Sequence, residues 1–147
     1  MLKIWRTTMM FVAMIFLLTA CNTETIKHHY TFEGEASQWS ASYVQDVTEK
    51  YISKKGKPTK HETRESSVFQ LIYKGEQSDL GNIKLLKYSY KGTAGGASRS
   101  QEGPVYLKDL KFVNAGSEGS FEREDSVIRV EVEWDGQKEQ FDLRVHK

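Results

Sequence analysis

The residues able to do chemistry are few, and the first is a thiol. Cys21 is the only cysteine among 147 residues and directly follows Leu18-Thr19-Ala20. A thiolate is a strong nucleophile, and the two small side chains before it leave the backbone open to another enzyme. Histidines come next. His28 and His29 are adjacent, so on a strand they take opposite faces and do not chelate one metal; they read as solvated. His61, beside Glu62, and His146, next to the C-terminus, would serve as general bases if the fold brought a serine to either. Neither G-x-S-x-G nor H-E-x-x-H occurs to support that reading. Glu122, Glu124 and Asp125 crowd into the stretch EREDS, but Arg123 interrupts them and the spacing matches no calcium loop, so a solvated turn is expected. Glu131 and Glu133 have the i, i+2 spacing of one strand face. Two carboxylates can flank a glycosidic bond, yet the wet face of any strand gives the same spacing, and that is how they read. No metal and no cofactor are expected from these patterns.

The segment before Cys21 sets its context. Lys3 and Arg6 are positive, no acid precedes Glu24, and residues 9–20 are apolar apart from Thr19. Twelve residues fall short of the roughly 20 that cross a bilayer, and suit the apolar region of an export signal. Leu18-Thr19-Ala20-Cys21 then resembles the lipobox of bacterial lipoproteins. The resemblance implies a thioether from Cys21 to diacylglycerol, with cleavage that makes Cys21 the new N-terminus. Two acyl chains, at about 0.8 kcal/mol per buried methylene, hold firmly where one holds marginally. On this reading residues 1–20 are a signal peptide, 21–27 a lipidated tether and 28–147 a domain on the extracytoplasmic face of the cell membrane. From Asn22 to Lys27 the tether spans at most about 20 Å. No thiol is left for a disulfide or for catalysis, so stability must come from the core.

Residues 1–20 hold two of the 21 basic groups and none of the 20 acidic ones, so the remaining 127 residues carry 19 against 20, net −1 with histidine neutral. That length is one ordinary domain. The balance gives no electrostatic footprint for nucleic acid.

The elements that must position these groups read as strands, because period-two alternation recurs throughout. Tyr30 and Phe32 share a face, as do Trp39, Ala41, Tyr43 and Val47, with Val44 on the other side. Phe69, Leu71 and Tyr73 are in step, and Leu86, Tyr88 and Tyr90 oppose Ile83 and Leu85. Residues 46–56 have too few apolar positions for a helix and read as strand continuation. The clearest stretch is SVIRVEVEWDGQKEQFDLRV: Ile128, Val130, Val132 and Trp134 alternate with Arg129, Glu131 and Glu133, Asp135-Gly136 supplies a type I′ turn, and Phe141, Leu143 and Val145 return. No long apolar strand alternates with helices, so the sheet should be antiparallel. Seven or eight strands predict an antiparallel β-sandwich, immunoglobulin-like in architecture, with a small β-barrel as the alternative.

Two segments break the rhythm. Residues 54–62 are basic, and residues 92–103 are rich in Gly and Ser; both are expected to be surface loops, the second mobile. They offer Lys54, Lys55, Lys57 and His61 in the first and Arg99 in the second as candidate binding residues. Trp39 and Trp134 belong with the core, whereas Tyr88 and Tyr90 could instead lie open and stack on sugar rings.

Together the lipobox, TFEGEASQWSASY around Trp39 and the Trp134-Asp135-Gly136 hairpin resemble a group of small lipoproteins of Gram-positive bacteria. The resemblance implies a lipid-anchored β-sandwich and carries over no catalytic residue. The function expected is a membrane-anchored binding or interaction module of the cell envelope, with an envelope protein or a wall glycan as partner. An envelope hydrolase or its accessory subunit, using His61, is one alternative. A purely structural lipoprotein of the envelope or spore is another.

Overall fold

The computed structural model describes residues 21–145 apart from Leu107, Asp109 and Glu118. Eight strands follow one another: β1 (Cys21–Glu35), β2 (Trp39–Lys54), β3 (Lys60–Tyr73), β4 (Leu85–Lys91), β5 (Gly96–Glu102), β6 (Lys111–Ser117), β7 (Ile128–Trp134) and β8 (Gln137–Val145). One short α-helix, α1 (Gln77–Leu80), lies among the described residues. The strands form a single antiparallel sheet in the order β5-β4-β7-β8-β1-β2-β3-β6. The all-β class is therefore as expected, but the two-sheet sandwich gives way to the barrel alternative. Alternation marks which side chains are buried, and a sheet rolled on itself buries one face as well as two stacked sheets do.

The chain divides into two compact units, residues 21–26 with 49–62 and residues 27–48 with 63–145. The smaller unit holds the start of β1 and the outer part of the β2–β3 hairpin. Residues 22–27, expected as a tether, are the first turns of pleat in β1. The basic stretch 54–62 is only partly a loop: β2 continues to Lys54, and His61 and Glu62 already belong to β3. The turn between them is closed by Lys57 N–H donating to Lys54 O at 3.0 Å. Gly56 supplies its φ of +75°, which a side chain would resist.

In the larger unit the β7–β8 hairpin forms as its pattern requires. Ile128, Val130, Val132 and Trp134 are all buried, and register runs from Trp134 opposite Gln137 to Ile128 opposite Leu143. Asp135 and Gly136 have φ of 44° and 83°, as a type I′ turn needs. Asp135 does more than turn the chain, because its Oδ1 accepts from Lys84 N–H and Leu85 N–H, each at 3.0 Å, and so fixes the start of β4. β4 pairs with β7 and carries Leu86 and Tyr88 into the core.

Residues 92–103, expected as a mobile loop, contain β5, which pairs with β4 from Leu85–Glu102 to Lys91–Gly96. An edge strand needs one ladder only, and small side chains allow close approach: a Cβ added to Gly96 would lie 2.4 Å from Tyr90 O. The interior is filled by Phe32, Trp39, Leu86, Val130, Val132 and Leu143, with Trp39 edge-on to Trp134 at 5.7 Å. Leu80, Ile83, Val105 and Leu110 are buried with them from the connections. β3 and β4 stand near opposite ends of the strand order, yet Phe69 of β3 stacks on Tyr90 of β4 at 4.7 Å. The sheet of this unit is thus rolled nearly closed.

Because Asp135 both adopts positive φ and holds β4, Asp135→Gly should keep the turn and lose the clamp, whereas Asp135→Ala loses both. Urea unfolding is expected to show a loss of about 1–2 kcal/mol for Asp135→Gly and a larger one for Asp135→Ala. Equal stability of the two variants would mean that the turn strain contributes nothing, and a Gly variant as stable as the parent would mean the same of the clamp.

Candidate functional site

The residues singled out by sequence fall in both units. In the smaller unit Lys54, Lys55 and Lys57 are exposed at the hairpin tip. His61 is not in a loop. Its ring stacks on Tyr51 at 4.5 Å, and its Nε2 lies 3.0 Å from Glu49 Oε2, which also accepts the Tyr51 hydroxyl at 3.2 Å. Glu49 is 5% exposed. This pairs a base with a carboxylate, but the only serine of the unit, Ser53, bonds Thr59 Oγ1 at 3.0 Å. In the larger unit His29 Nδ1 meets Asp46 Oδ1 at 2.7 Å on the surface, while the His28 ring stacks between Tyr30 and Phe121 at 5.7 and 5.8 Å. The two take opposite faces of β1. Leu18, Thr19, Ala20 and His146 lie outside the described residues, and Cys21 is the first residue of β1.

Arg99 leads to the most open part of the sheet. β5 and β6 end the strand order, and each is hydrogen-bonded on one side only, β5 to β4 and β6 to β3. Side chains, not a ladder, bring the two edges together. The Arg99 guanidinium lies 4.9 Å from the centre of the Phe112 ring, a cation–π contact across the gap. Phe112 in turn meets Tyr88, Tyr90 and Phe69 at 5.2, 5.8 and 6.0 Å. Tyr88 and Tyr90 are therefore lining of the barrel and not a sugar platform. Among the described residues no ladder joins β5 to β6, so at this seam the two strands meet as sheet edges, the arrangement that accepts an added strand. Val113, 72% exposed on β6, stands beside it.

A polar layer supports this seam from inside. Glu122, expected in a solvated turn, is 2% exposed. Its Oε2 accepts from Thr93 Oγ1 at 2.6 Å and Thr93 N–H at 3.2 Å, and its Oε1 from Ala94 N–H at 2.8 Å. A buried carboxylate is tolerable only when so satisfied. Glu122 N–H donates to Gln45 Oε1 at 3.1 Å, and Gln45 Nε2 donates to Glu65 Oε1 at 3.1 Å. The chain Glu65–Gln45–Glu122–Thr93 thus ties β3 and β2 to the β4–β5 turn. Gly92 leaves room for it, because a Cβ would lie 2.0 Å from Glu122 Oε1 and would displace the carboxylate. Both Glu122 oxygens accept from donors of the β4–β5 turn, so the group holds the edge hairpin.

Tyr43 borders the layer and hydrogen-bonds Ser67. Burial, reinforced by the charges of Glu65 and Glu122, pushes its phenol up to about 12. Tyr90 is pushed up for the same reasons, burial first. On the outer face Lys87, Ser89, Ser98, Ser100, Glu131 and Glu133 border a shallow hollow of about 260 Å³. Lys138 reaches Glu131 at 2.8 Å and Glu133 at 3.3 Å. It also holds the Glu131 carboxyl below its ordinary range, helped by Gln140. The two carboxylates behave as a solvated, lysine-bridged face.

Sequence reasoning missed Gln45, although a polar residue in phase with Trp39, Ala41, Tyr43 and Val47 is a signal that could have found it. Glu122 gave no such sign. In comparisons with protein-family models, with curated proteins and with solved structures, nothing matches the chain.

Glu122→Gln replaces an acceptor with an amide that cannot satisfy all three donors, and should cost about 2 kcal/mol. Gly92→Ala should act on the same contact, so the double variant is expected to be less destabilised than the sum of the two. Hydrogen exchange should accelerate over residues 93–102 and not over β7–β8; uniform acceleration would refute a local clamp. Tyr43 yields a separate outcome. Its proton is held more tightly in the fold than in the unfolded chain, where the pKa is about 10. Its contribution is therefore intact below pH 10 and lost as pH rises through about 12. Tyr43→Phe should flatten the fall of stability across that window, and an unchanged alkaline profile would assign the fall to other groups.

Proposed function

We propose that the chain is a lipid-anchored interaction module on the extracytoplasmic face of a bacterial cell membrane, and that it binds an extended segment of an envelope protein at the β5–β6 seam. The observation that carries the reading is the unclosed seam: a nearly complete barrel whose two edges meet through Arg99 and Phe112 and share no ladder. A strand inserted there would pair on both sides, gaining backbone hydrogen bonds for affinity and alternate side-chain contacts for specificity. The Glu122 clamp holds β5 in place before the partner arrives, which lowers the ordering cost of binding. The anchor is the proposed diacylglyceryl thioether at Cys21, after processing at Leu18-Thr19-Ala20. The hydrolase reading draws on the His61–Glu49 pair and takes second place, because Ser53 is engaged by Thr59.

The test is photo-crosslinking in cells, with the probe amino acid at Ser100 on β5, at Val113 on β6, or at Glu133 on the outer face. One protein adduct common to the first two positions and absent at the third is expected, with loss of the adduct in the unlipidated Cys21→Ala variant. Identical labelling at all three positions would discard the seam as the binding surface.

A further inference from the structure

The smaller unit carries a charge pattern that the proposed anchor and the seam do not use. Neighbouring strands β1 and β2 are joined by residues 36–38 alone, and so short a connection requires an antiparallel pair. Counted outward from that turn, Cys21 is the fifteenth residue of β1 and Lys54 the sixteenth of β2. The first residue of β1 and the β2–β3 tip therefore lie at one end of the same unit. Described residues 21–26 and 49–62 contain five lysines and three glutamates, net +2, while residues 27–48 with 63–147 carry −3 with histidine neutral. Two of those glutamates are engaged, Glu49 with Tyr51 and His61, and Glu62 with Lys60 at 2.6 Å. Lys54, Lys55 and Lys57 are exposed and have no ion pair among the described residues. Gly56 and the closed turn bring all three onto one hairpin tip.

We infer that Lys54, Lys55 and Lys57 form a docking tip for the anionic headgroups of the membrane in which Cys21 is anchored. The inference rests on the proposed lipidation for the choice of a membrane over another polyanion. With β1 starting at Cys21 there is no free tether, and adjacent strands lie about 4.8 Å apart. The tip is thus held within a Debye length, about 8 Å in physiological salt, of the surface that the anchor enters. Each lysine so placed favours an anionic surface by about fivefold in partition. The remaining residues, 27–48 with 63–147, are net negative and give an anionic surface no comparable attraction. Two weak signals, a lipid and a basic patch, then act together.

The experiment uses protein purified from membranes of a lipoprotein-processing bacterium. It is placed in vesicles of phosphatidylcholine alone or with about one-third phosphatidylglycerol, a surface dense enough in charge for the effect. A membrane-impermeant amine reagent is applied, and labelling is read by peptide mass spectrometry. Lys54, Lys55 and Lys57 should label about fivefold or more slowly on the anionic vesicles, with protection lost in high salt. Lys87 and Lys138 should label at the same rate on both. Equal rates for the tip lysines on the two vesicles would overturn the inference. So would equal protection by a soluble poly(glycerol phosphate), which would make a wall polymer the occupant. The Cys21 peptide is weighed in the same samples. Tip protection with an unmodified Cys21 would keep the docking tip and overturn the anchor proposal, whereas a diacylglyceryl Cys21 with unprotected lysines would do the reverse. The triple variant K54Q/K55Q/K57Q should lose the difference between the two vesicles.

Discussion

The rings of Phe69, Tyr90 and Phe112 hold β3 and β6 against β4, and the rest of the larger unit depends on that contact. A sheet of eight strands has two edges, and hydrogen bonds can satisfy them only if strand tilt and stagger let the ladder close. Here the ladder stops short. Stacked rings and one cation–π contact bring the edges near each other without pairing them. The apolar burial beneath these contacts is nondirectional, so it tolerates a gap that a ladder would not. The same gap leaves the interior lined by aromatic side chains at the one place where the backbone does not seal it.

An unsealed edge is also where a fold frays, and the polar layer answers that weakness. β5 is built of Gly, Ala, Ser and Gln with Arg99 and Glu102, residues that bury little apolar surface. Its single ladder with β4 would hold it loosely. The carboxylate of Glu122 gathers the β4–β5 turn by three donors, and Gln45 passes the constraint on to Glu65. Burying such a carboxylate is unfavourable unless every oxygen is met, and the desolvated network is rigid for that reason. The edge strand is thus ordered by a polar contact at its turn rather than by its own side chains.

Legibility in the sequence follows the same division. The β7–β8 hairpin is written locally, in four alternating apolar residues and an Asp-Gly turn, so its register could be read directly. The roll of the sheet is not local. Alternation at Trp39, Phe69 or Leu86 states that a face is buried and says nothing of which strand buries it. β5 was hidden because Gly and Ser resemble a linker, and its strand conformation comes from pairing with β4. Glu122 was hidden because Arg123, Glu124 and Asp125 around it are exposed, while its partner Gln45 lies 77 residues away. Gln45 was passed over too, although a polar residue in step with an apolar face is the local sign that an internal polar layer leaves.

β1 has a consequence of a mechanical kind. It lies between β8 and β2, and it is strand from its first described residue. A load applied at that residue along the strand axis runs at right angles to the hydrogen bonds that tie β1 to β2 and, from Phe32 on, to β8. Those bonds then share the load together, as the glued faces of a lap joint do, instead of opening one by one. Whatever drags on Cys21 therefore meets the molecule along its stiffest direction, with no slack to take up first.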